Sequence, residues 1–121
     1  MNLTVVNQTK LKISEAKLSK AFDLVIKHFQ MQKIRNKQSI NKNFEITFVF
    51  LKKSEMKKIN QHYRNKNKPT DVLSFSYDEP QHLGDLVFCP EVLKKQAQQQ
   101  SHSLDKELLY MMIHGLLHLL G

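Results

Sequence analysis

Two histidines near the end of the sequence are the residues best placed to do chemistry together. His114 and His118 are four positions apart in a segment that is otherwise apolar. Four residues make about one helical turn, so on a helix both imidazoles lie on one face and can reach a single metal ion. The alternative is a pair of histidines satisfied by hydrogen bonds within an apolar helix. Gly115, which costs about 1 kcal/mol relative to alanine in a helix, indicates that a neighbour needs the space.

The same glycine bears on the reaction that a metal would support. In zinc peptidases of the H-E-x-x-H type, the glutamate after the first histidine is the general base, and that position is Gly115 here. Two histidines are also one short of the three protein ligands of an ordinary catalytic zinc site. A metallopeptidase therefore remains an alternative that lacks its expected base.

A basic loop is the second feature with chemical potential. Tyr63 and Arg64 open the run Y-R-N-K-N-K-P-T-D at residues 63–71. Arginine binds phosphate through a planar fork, and a tyrosine ring can stack on a nucleobase. Arg64 is one of two arginines among 19 lysines and arginines, which favours a function for it. A solvated linker is the better interpretation of the lysines, including Lys66.

Asp85 is the third candidate, because it lies between apolar residues at the start of a predicted strand. A carboxylate there can anchor a metal-binding histidine from the second coordination shell. An ordinary turn aspartate explains the local sequence equally well. Of the other ionisable residues, Glu107 is predicted to be a solvated helix charge, and Cys89 is predicted to be inert packing. Four further histidines lack ligand-like spacing and are predicted at the surface: His28, His62, His82 and His102.

Apolar periodicity predicts the elements that position these residues. Runs of β-branched and aromatic residues predict strands at 3–7, 44–51, 72–77 and 83–89, the first at an edge of the sheet. Helical spacing predicts four helices, which begin after Ser14, near Ser54, at Pro90 and near Ser103. The polar residues 35–43 predict a loop. This order indicates an α+β fold, a small mixed β-sheet of about four strands packed with helices, with a zincin-like histidine helix at the C-terminus.

Length and composition limit the class of protein. The 121 residues fit a single domain, 1–121, with 40% hydrophobic and 25% charged residues. The lone cysteine, the absence of a signal-peptide pattern and the absence of a long apolar run predict a cytoplasmic protein without a membrane partner. The net charge of +8 favours an anionic partner such as RNA or DNA. A lysine- and asparagine-rich bias from an AT-rich genome explains the charge equally well.

Four sequence blocks together resemble the YbeY family. The blocks are Tyr63-Arg64, P-T-D-V-L-S-F at 69–75, L-G-D at 83–85 and H-G-L-L-H-L-L-G at 114–121. They follow the family's order across residues 59–121, and the combination is much more specific than any one block. The first 58 residues match the family only in general pattern.

The resemblance implies a zinc-containing endoribonuclease of the cytoplasm that acts on single-stranded RNA. It implies a role in ribosomal RNA maturation, at the 3′ end of 16S rRNA, and in ribosome quality control. The partners would be ribosomal RNA and the ribosome or its assembly factors. It also implies that His114 and His118 bind one Zn²⁺ and that Arg64 is needed for activity, with His114 and Arg64 as the catalytic residues. We expect RNA to be bound by Tyr63, Arg64, Lys66 and Ser74.

The sequence departs from the family pattern at its end. In the family a third metal-binding histidine follows the histidine helix, whereas this sequence stops at Gly121. We therefore expect the domain to be C-terminally truncated, with the third ligand beyond Gly121. A non-enzymatic ribosome-assembly factor with a structural zinc is the alternative, favoured if a fourth protein ligand closes the site.

Overall fold

The strands and helices follow the predicted order along the chain: strand, helix, strand, helix, two strands and two helices. The computed structural model describes residues 2–31, 44–77, 79 and 81–120, so the loop predicted at 35–43 lies outside the described residues. The strands are β1 (Asn2–Asn7), β2 (Glu45–Phe50), β3 (Val72–Ser76) and β4 (His82–Phe88). The helices are α1 (Glu15–Met31), α2 (Lys53–Arg64), α3 (Pro90–Gln99) and α4 (Leu104–Leu120).

The strands form one mixed sheet in the order β1-β2-β4-β3. Strands β1, β2 and β4 are parallel to one another, whereas the edge strand β3 pairs antiparallel with β4. The prediction of a small mixed sheet with helices is confirmed, and so is the position of β1 at an edge. The other edge of the sheet is β3.

The larger core lies between the sheet and helices α1 and α4. Alternate residues of each strand point to one face, so Ile46, Phe48 and Phe50 of β2 are fully buried there. The rings of Phe48 and Phe88 pack edge to face with centroids 5.3 Å apart. The buried residues that the helices contribute to this core are Leu18, Phe22, Ile26, Leu93, Met112 and Leu116. It fixes α4 across one face of the sheet.

The opposite face carries a smaller core, covered by α2. Its buried members are Leu51, Met56, Leu73, Val87 and Cys89. Full burial of Cys89 confirms the prediction that it is a packing residue. Because side chains alternate along β3, Leu73 and Phe75 face α2, and Ser74 faces the side of α4.

The helix starts follow the predicted signals in part. The Ser14 hydroxyl accepts a hydrogen bond from the Lys17 amide at 3.3 Å, which confirms Ser14 as the cap of α1. The predicted cap at Ser54 is wrong, because α2 already begins at Lys53 and Lys52 precedes it without a side-chain cap. In the described part of the chain, every helix is too short or too polar to cross a membrane.

Candidate active site

The two histidines of α4 converge on one point. Their Nε2 atoms are 3.2 Å apart, with ring centroids 4.6 Å apart, and both side chains are exposed. Two nitrogens that bind one tetrahedral zinc ion at about 2.0–2.1 Å lie roughly 3.3 Å from each other. The donor type and the spacing therefore fit two ligands of one ion. Among the described residues, no third His, Cys, Asp or Glu side chain joins the pair as a possible ligand.

Two glycines let the end of α4 lie directly on β4. A Cβ atom on Gly115 would stand 2.7 Å from Leu86 Cδ2, so a neighbour does need this space, as predicted. Gly84 has a φ of +155°, and a Cβ there would be 2.2 Å from the Phe75 carbonyl oxygen and 2.9 Å from Leu119 Cδ2. Larger residues at either position would push the histidine turn away from the sheet.

A groove of about 520 Å³ runs between α4 and the edge strand β3. Arg64, Ser74, His114 and His118 all line it, so the structure brings together four of the residues selected from the sequence. The remaining lining residues are Asp71, Val72, Leu73, Ser76, Met111 and Leu119. One wall therefore offers imidazole nitrogens, and the other offers a guanidinium and two hydroxyls.

The last turn of α2 holds Arg64 at the groove. Asn65 ends the helix in the left-handed conformation, with φ 55°, and its amide bonds the Gln61 carbonyl at 3.1 Å. Asn60, which is 1% exposed, donates from Nδ2 to the Lys68 carbonyl at 2.7 Å and fastens the following loop to the helix. Asn60 was missed from the sequence, although it lies four residues after Met56 on the buried face.

Tyr63 and Lys66, also expected to bind substrate, lie outside the groove lining. The Tyr63 ring packs edge to face on Phe75, with ring centroids 5.1 Å apart, and Tyr63 is 64% exposed. Phe75 faces away from α4, so Tyr63 lies on the other face of β3. Lys66 is exposed in the loop. Their binding roles stay predictions.

Asp71 and Ser76 are groove residues that were not selected from the sequence. The Asp71 carboxylate accepts hydrogen bonds from the Val72 amide at 2.8 Å and from Gln96 Nε2 at 3.4 Å. It therefore ties the start of β3 to α3. The period of two along a strand is the signal that places Ser76 beside Ser74.

Asp85 is in contact with Tyr77 and His82. The Tyr77 hydroxyl donates to Asp85 Oδ2 at 2.5 Å, and this hydrogen bond is the main reason that the pKa of Tyr77 is raised from 10.0 to about 12. His82 Nε2 lies 3.5 Å from Asp85 Oδ1. The expected second-shell role of Asp85 toward the histidine pair therefore stays a prediction without a described contact behind it.

The prediction that Glu107 is a solvated charge is wrong. Glu107 is 6% exposed, and its carboxylate pairs with His102 Nε2. The turn between α3 and α4 causes this, because Ser101 adopts φ 55° and the His102 amide bonds the Ala97 carbonyl at 3.0 Å. His102 is thereby folded over the first turn of α4, and its predicted surface position is wrong as well, since its side chain is 15% exposed.

The sequence is similar to proteins of one known family. The family model described as Endoribonuclease YbeY matches residues 4–121. The Endoribonuclease YbeY of Bdellovibrio bacteriovorus is 40% identical over 121 residues, which are all of this chain and 79% of the relative. That of Staphylococcus carnosus is 39% identical over 97 residues, 72% of this chain and 63% of the relative.

A solved structure shares the fold. The solution structure of a Thermotoga maritima protein superposes with a TM-score of 0.63 at 25% identity, and the match covers 99% of this chain and 73% of that one. The similarity thus extends over β1 to α4 and is wider than the four motif blocks. The family expected from those blocks is confirmed, and the chain belongs to the YbeY family of endoribonucleases.

Proposed function

We propose that this protein is a zinc-dependent endoribonuclease that cleaves single-stranded ribosomal RNA. The proposed substrate is the 3′ end of 16S rRNA, met in the cytoplasm on the ribosome or its assembly intermediates, where the enzyme also serves quality control. The observation that carries the proposal is the shared groove of Arg64 and the histidine pair. A phosphate-binding group and a pair of metal-binding donors then face one substrate.

Arg64 is suited to hold the scissile phosphate. Its guanidinium offers two parallel N–H donors, stays charged at neutral pH and offsets negative charge that develops at the phosphate. The Ser74 hydroxyl lies on the β3 wall of the same groove and can donate to a phosphate oxygen or bond a ribose hydroxyl. Together these groups fix the strand along the groove.

The histidine pair would hold the metal. His114 and His118 point their Nε2 atoms at one position, and the third ligand is proposed beyond Gly121. A zinc ion bound there supplies Lewis-acid chemistry at neutral pH. The spacing of the pair supports this assignment.

The buried position of residue 115 disfavours a metallopeptidase. The general base of an H-E-x-x-H site would replace Gly115, yet that position is buried and faces Leu86 rather than the groove. A carboxylate there would lie in the apolar core. A non-enzymatic assembly factor with structural zinc predicts a closed site, whereas the pair here faces an open groove.

The decisive experiment changes Arg64 and follows RNA cleavage. Arg64→Ala should lower cleavage of single-stranded RNA about 10²–10³-fold, with zinc content and Tm unchanged, because an exposed charge stabilising the transition state is lost. Arg64→Lys should recover little, because lysine keeps the charge and loses the fork. Lys57→Ala, an exposed cation on the same helix, is the matched control and should cleave like the wild type.

Two further measurements separate the rivals. The full-length protein, with the third ligand expected beyond Gly121, should cleave single-stranded RNA and leave casein intact, with activity stopped by a chelator and restored by zinc. Binding should weaken with rising salt, because phosphate contacts release counterions. Casein hydrolysis without RNA cleavage would support the peptidase, and zinc binding without either activity would support the assembly factor.

A further inference from the structure

A row of rings lies on the face of the sheet opposite the groove. We call His62, Tyr63, Phe75, Tyr77 and His82 the aromatic row. His62 contacts Tyr63 with ring centroids 4.6 Å apart, Tyr63 contacts Phe75 at 5.1 Å, and Tyr77 contacts His82 at 4.5 Å. The row thus begins at the end of α2 and follows β3 toward the start of β4.

Asp85 joins the two halves of this row. Its Cα pairs with that of Phe75 across the β3–β4 ladder, and its carboxylate accepts the hydrogen bond of the Tyr77 hydroxyl. The rings therefore occupy one continuous patch, fastened by a strand ladder and a hydrogen bond.

The middle of the row is open to solvent. Tyr63 is 64% exposed and Tyr77 is 42% exposed, although both are held by neighbours. Helix α2 packs on the Leu73 end of this face, and Phe75 packs against the same core, whereas the rings of the two tyrosines are exposed. Preformed, exposed aromatic rings are what proteins use to stack unpaired bases, because every base has a π face.

The row continues into the groove through two consecutive residues. Arg64 lines the groove, and its neighbour Tyr63 packs on Phe75. The edge strand β3 links the two sides, because Ser74 lines the groove and the next residue, Phe75, packs on Tyr63. A nucleic-acid strand that crosses this edge can place a phosphate at Arg64 and the next bases on the rings.

We propose that the aromatic row, through Tyr63 and Tyr77, stacks unpaired bases of the RNA strand whose phosphate lies at Arg64. This inference rests on the proposed function and explains a preference for single strands, because the bases of a duplex are already stacked and paired. The charges differ between the two ends of the row. Lys66 and Lys68 follow Tyr63 in the chain and can contact RNA phosphates, whereas Asp85 and Glu79 lie near Tyr77, where a carboxylate can accept from the amino group of a base.

Binding of an oligocytidylate of about ten nucleotides, measured in a chelator so that no cleavage occurs, tests the row. A ribose-phosphate strand of equal length without bases is the matched probe. Tyr63→Ala and Tyr77→Ala should each weaken binding of the oligocytidylate about fivefold or more and leave binding of the abasic strand unchanged. Tyr77→Phe should bind like the wild type, because it keeps the ring and loses only the hydroxyl. Tyr110→Ala removes a 47% exposed tyrosine on α4 and should change neither probe.

The outcomes separate this inference from the proposed function. If both alanine variants bind the oligocytidylate as tightly as the wild type, and the wild type cleaves RNA, base stacking on the aromatic row is wrong and the proposed function stands. If the alanine variants lose the same affinity for the oligocytidylate and for the abasic strand, the tyrosines contact the RNA backbone and the stacking inference is wrong. Unchanged RNA binding with lost binding to ribosomal subunits would make the row a protein-docking surface and overturn the inference. Failure of the wild type to bind or cleave RNA would overturn both proposals.

Discussion

The two ends of α4 hold histidines in opposite situations. At the start of the helix, the His102 ring and the Glu107 carboxylate are paired and largely buried, with 15% and 8% of the side chains exposed. At the last turns, His114 and His118 are exposed, face a groove, and contact each other through nitrogens 3.2 Å apart. The first pair is buried and satisfies its own hydrogen-bonding groups, whereas the second pair is exposed and lines the groove.

The two pairs therefore have different roles, since the buried pair stabilises the fold and the exposed pair is available to bind a ligand. A buried acid with a bonded partner contributes to stability, because removing one partner leaves the other desolvated and unpaired. The exposed histidine pair contributes little to the free energy of folding, so its expected role is ligand binding. We therefore expect substitutions at the two ends to affect different measurements.

The largest effect should come from the exposed end. His118→Ala should lower zinc-dependent RNA cleavage by more than about a hundredfold, since even a residue that only supports a metal ligand is worth about 10–100-fold. Tm should change little, because exposed substitutions stay within roughly 0.5 kcal/mol. Cleavage and thermal unfolding measured on the same preparation test this. Normal cleavage by the variant would erase the contrast between the two ends.

The buried end should show the reverse result. Glu107→Gln should lower the free energy of unfolding by about 2 kcal/mol, because a hydrogen bond of a buried charged group is weakened. RNA cleavage at a temperature where the variant is folded should stay at the wild-type level. Glu55→Gln is the control, because Glu55 pairs with Lys58 at 3.5 Å on the exposed face of α2 and its loss should cost under about 0.5 kcal/mol. Urea unfolding compares the three proteins, and equal stabilities of the two variants would contradict the burial of Glu107.

Gly115→Ala tests whether contact with β4 matters for the exposed end. The added methyl meets Leu86 at 2.7 Å, which opposes the gain of about 1 kcal/mol in helix propensity, so the net loss of stability should be small, about 1 kcal/mol. Cleavage should fall about tenfold, because displacements near 1 Å at a site are costly. Full activity would show that the histidine turn tolerates displacement from the sheet.

The smallest effect should come from Tyr77, which is 42% exposed and hydrogen-bonded to the half-buried Asp85. Hydrogen bonding to Asp85 raises the pKa of Tyr77 from 10.0 to about 12. A raised pKa in the folded state means that the stabilisation is fully present below pH 10 and is lost as the pH rises from 10 to 12. Tyr77→Phe should therefore be less stable than wild type at pH 8, by at most about 1 kcal/mol, and the gap should close toward pH 12. Urea unfolding of both proteins between pH 8 and pH 12 measures this difference in unfolding free energy. A difference that grows with pH would contradict the prediction.

Local patterns in the sequence predicted the elements, because apolar periodicity and turn residues are short-range signals. The four-residue spacing of His114 and His118 was enough to predict their shared face, and the alternation around Ser74 places it toward α4. Burial of Glu107 was not predictable, since it depends on a turn that folds His102 back over α4. The partners of Asp85 were hidden by an irregularity in pairing between β2 and β4, where His82 and Gly84 oppose the consecutive residues Glu45 and Ile46. Simple alternation fails at such a bulge.

The buried thiol has a practical consequence for experiments on this protein. Cys89 is fully buried between β4 and α3, and burial raises the pKa of its thiol, so little reactive thiolate forms at neutral pH. A cysteine introduced at an exposed position such as Ser76, on the groove wall, would therefore be labelled selectively by a maleimide dye with Cys89 left in place. Fluorescence from that single dye can report when RNA enters the groove.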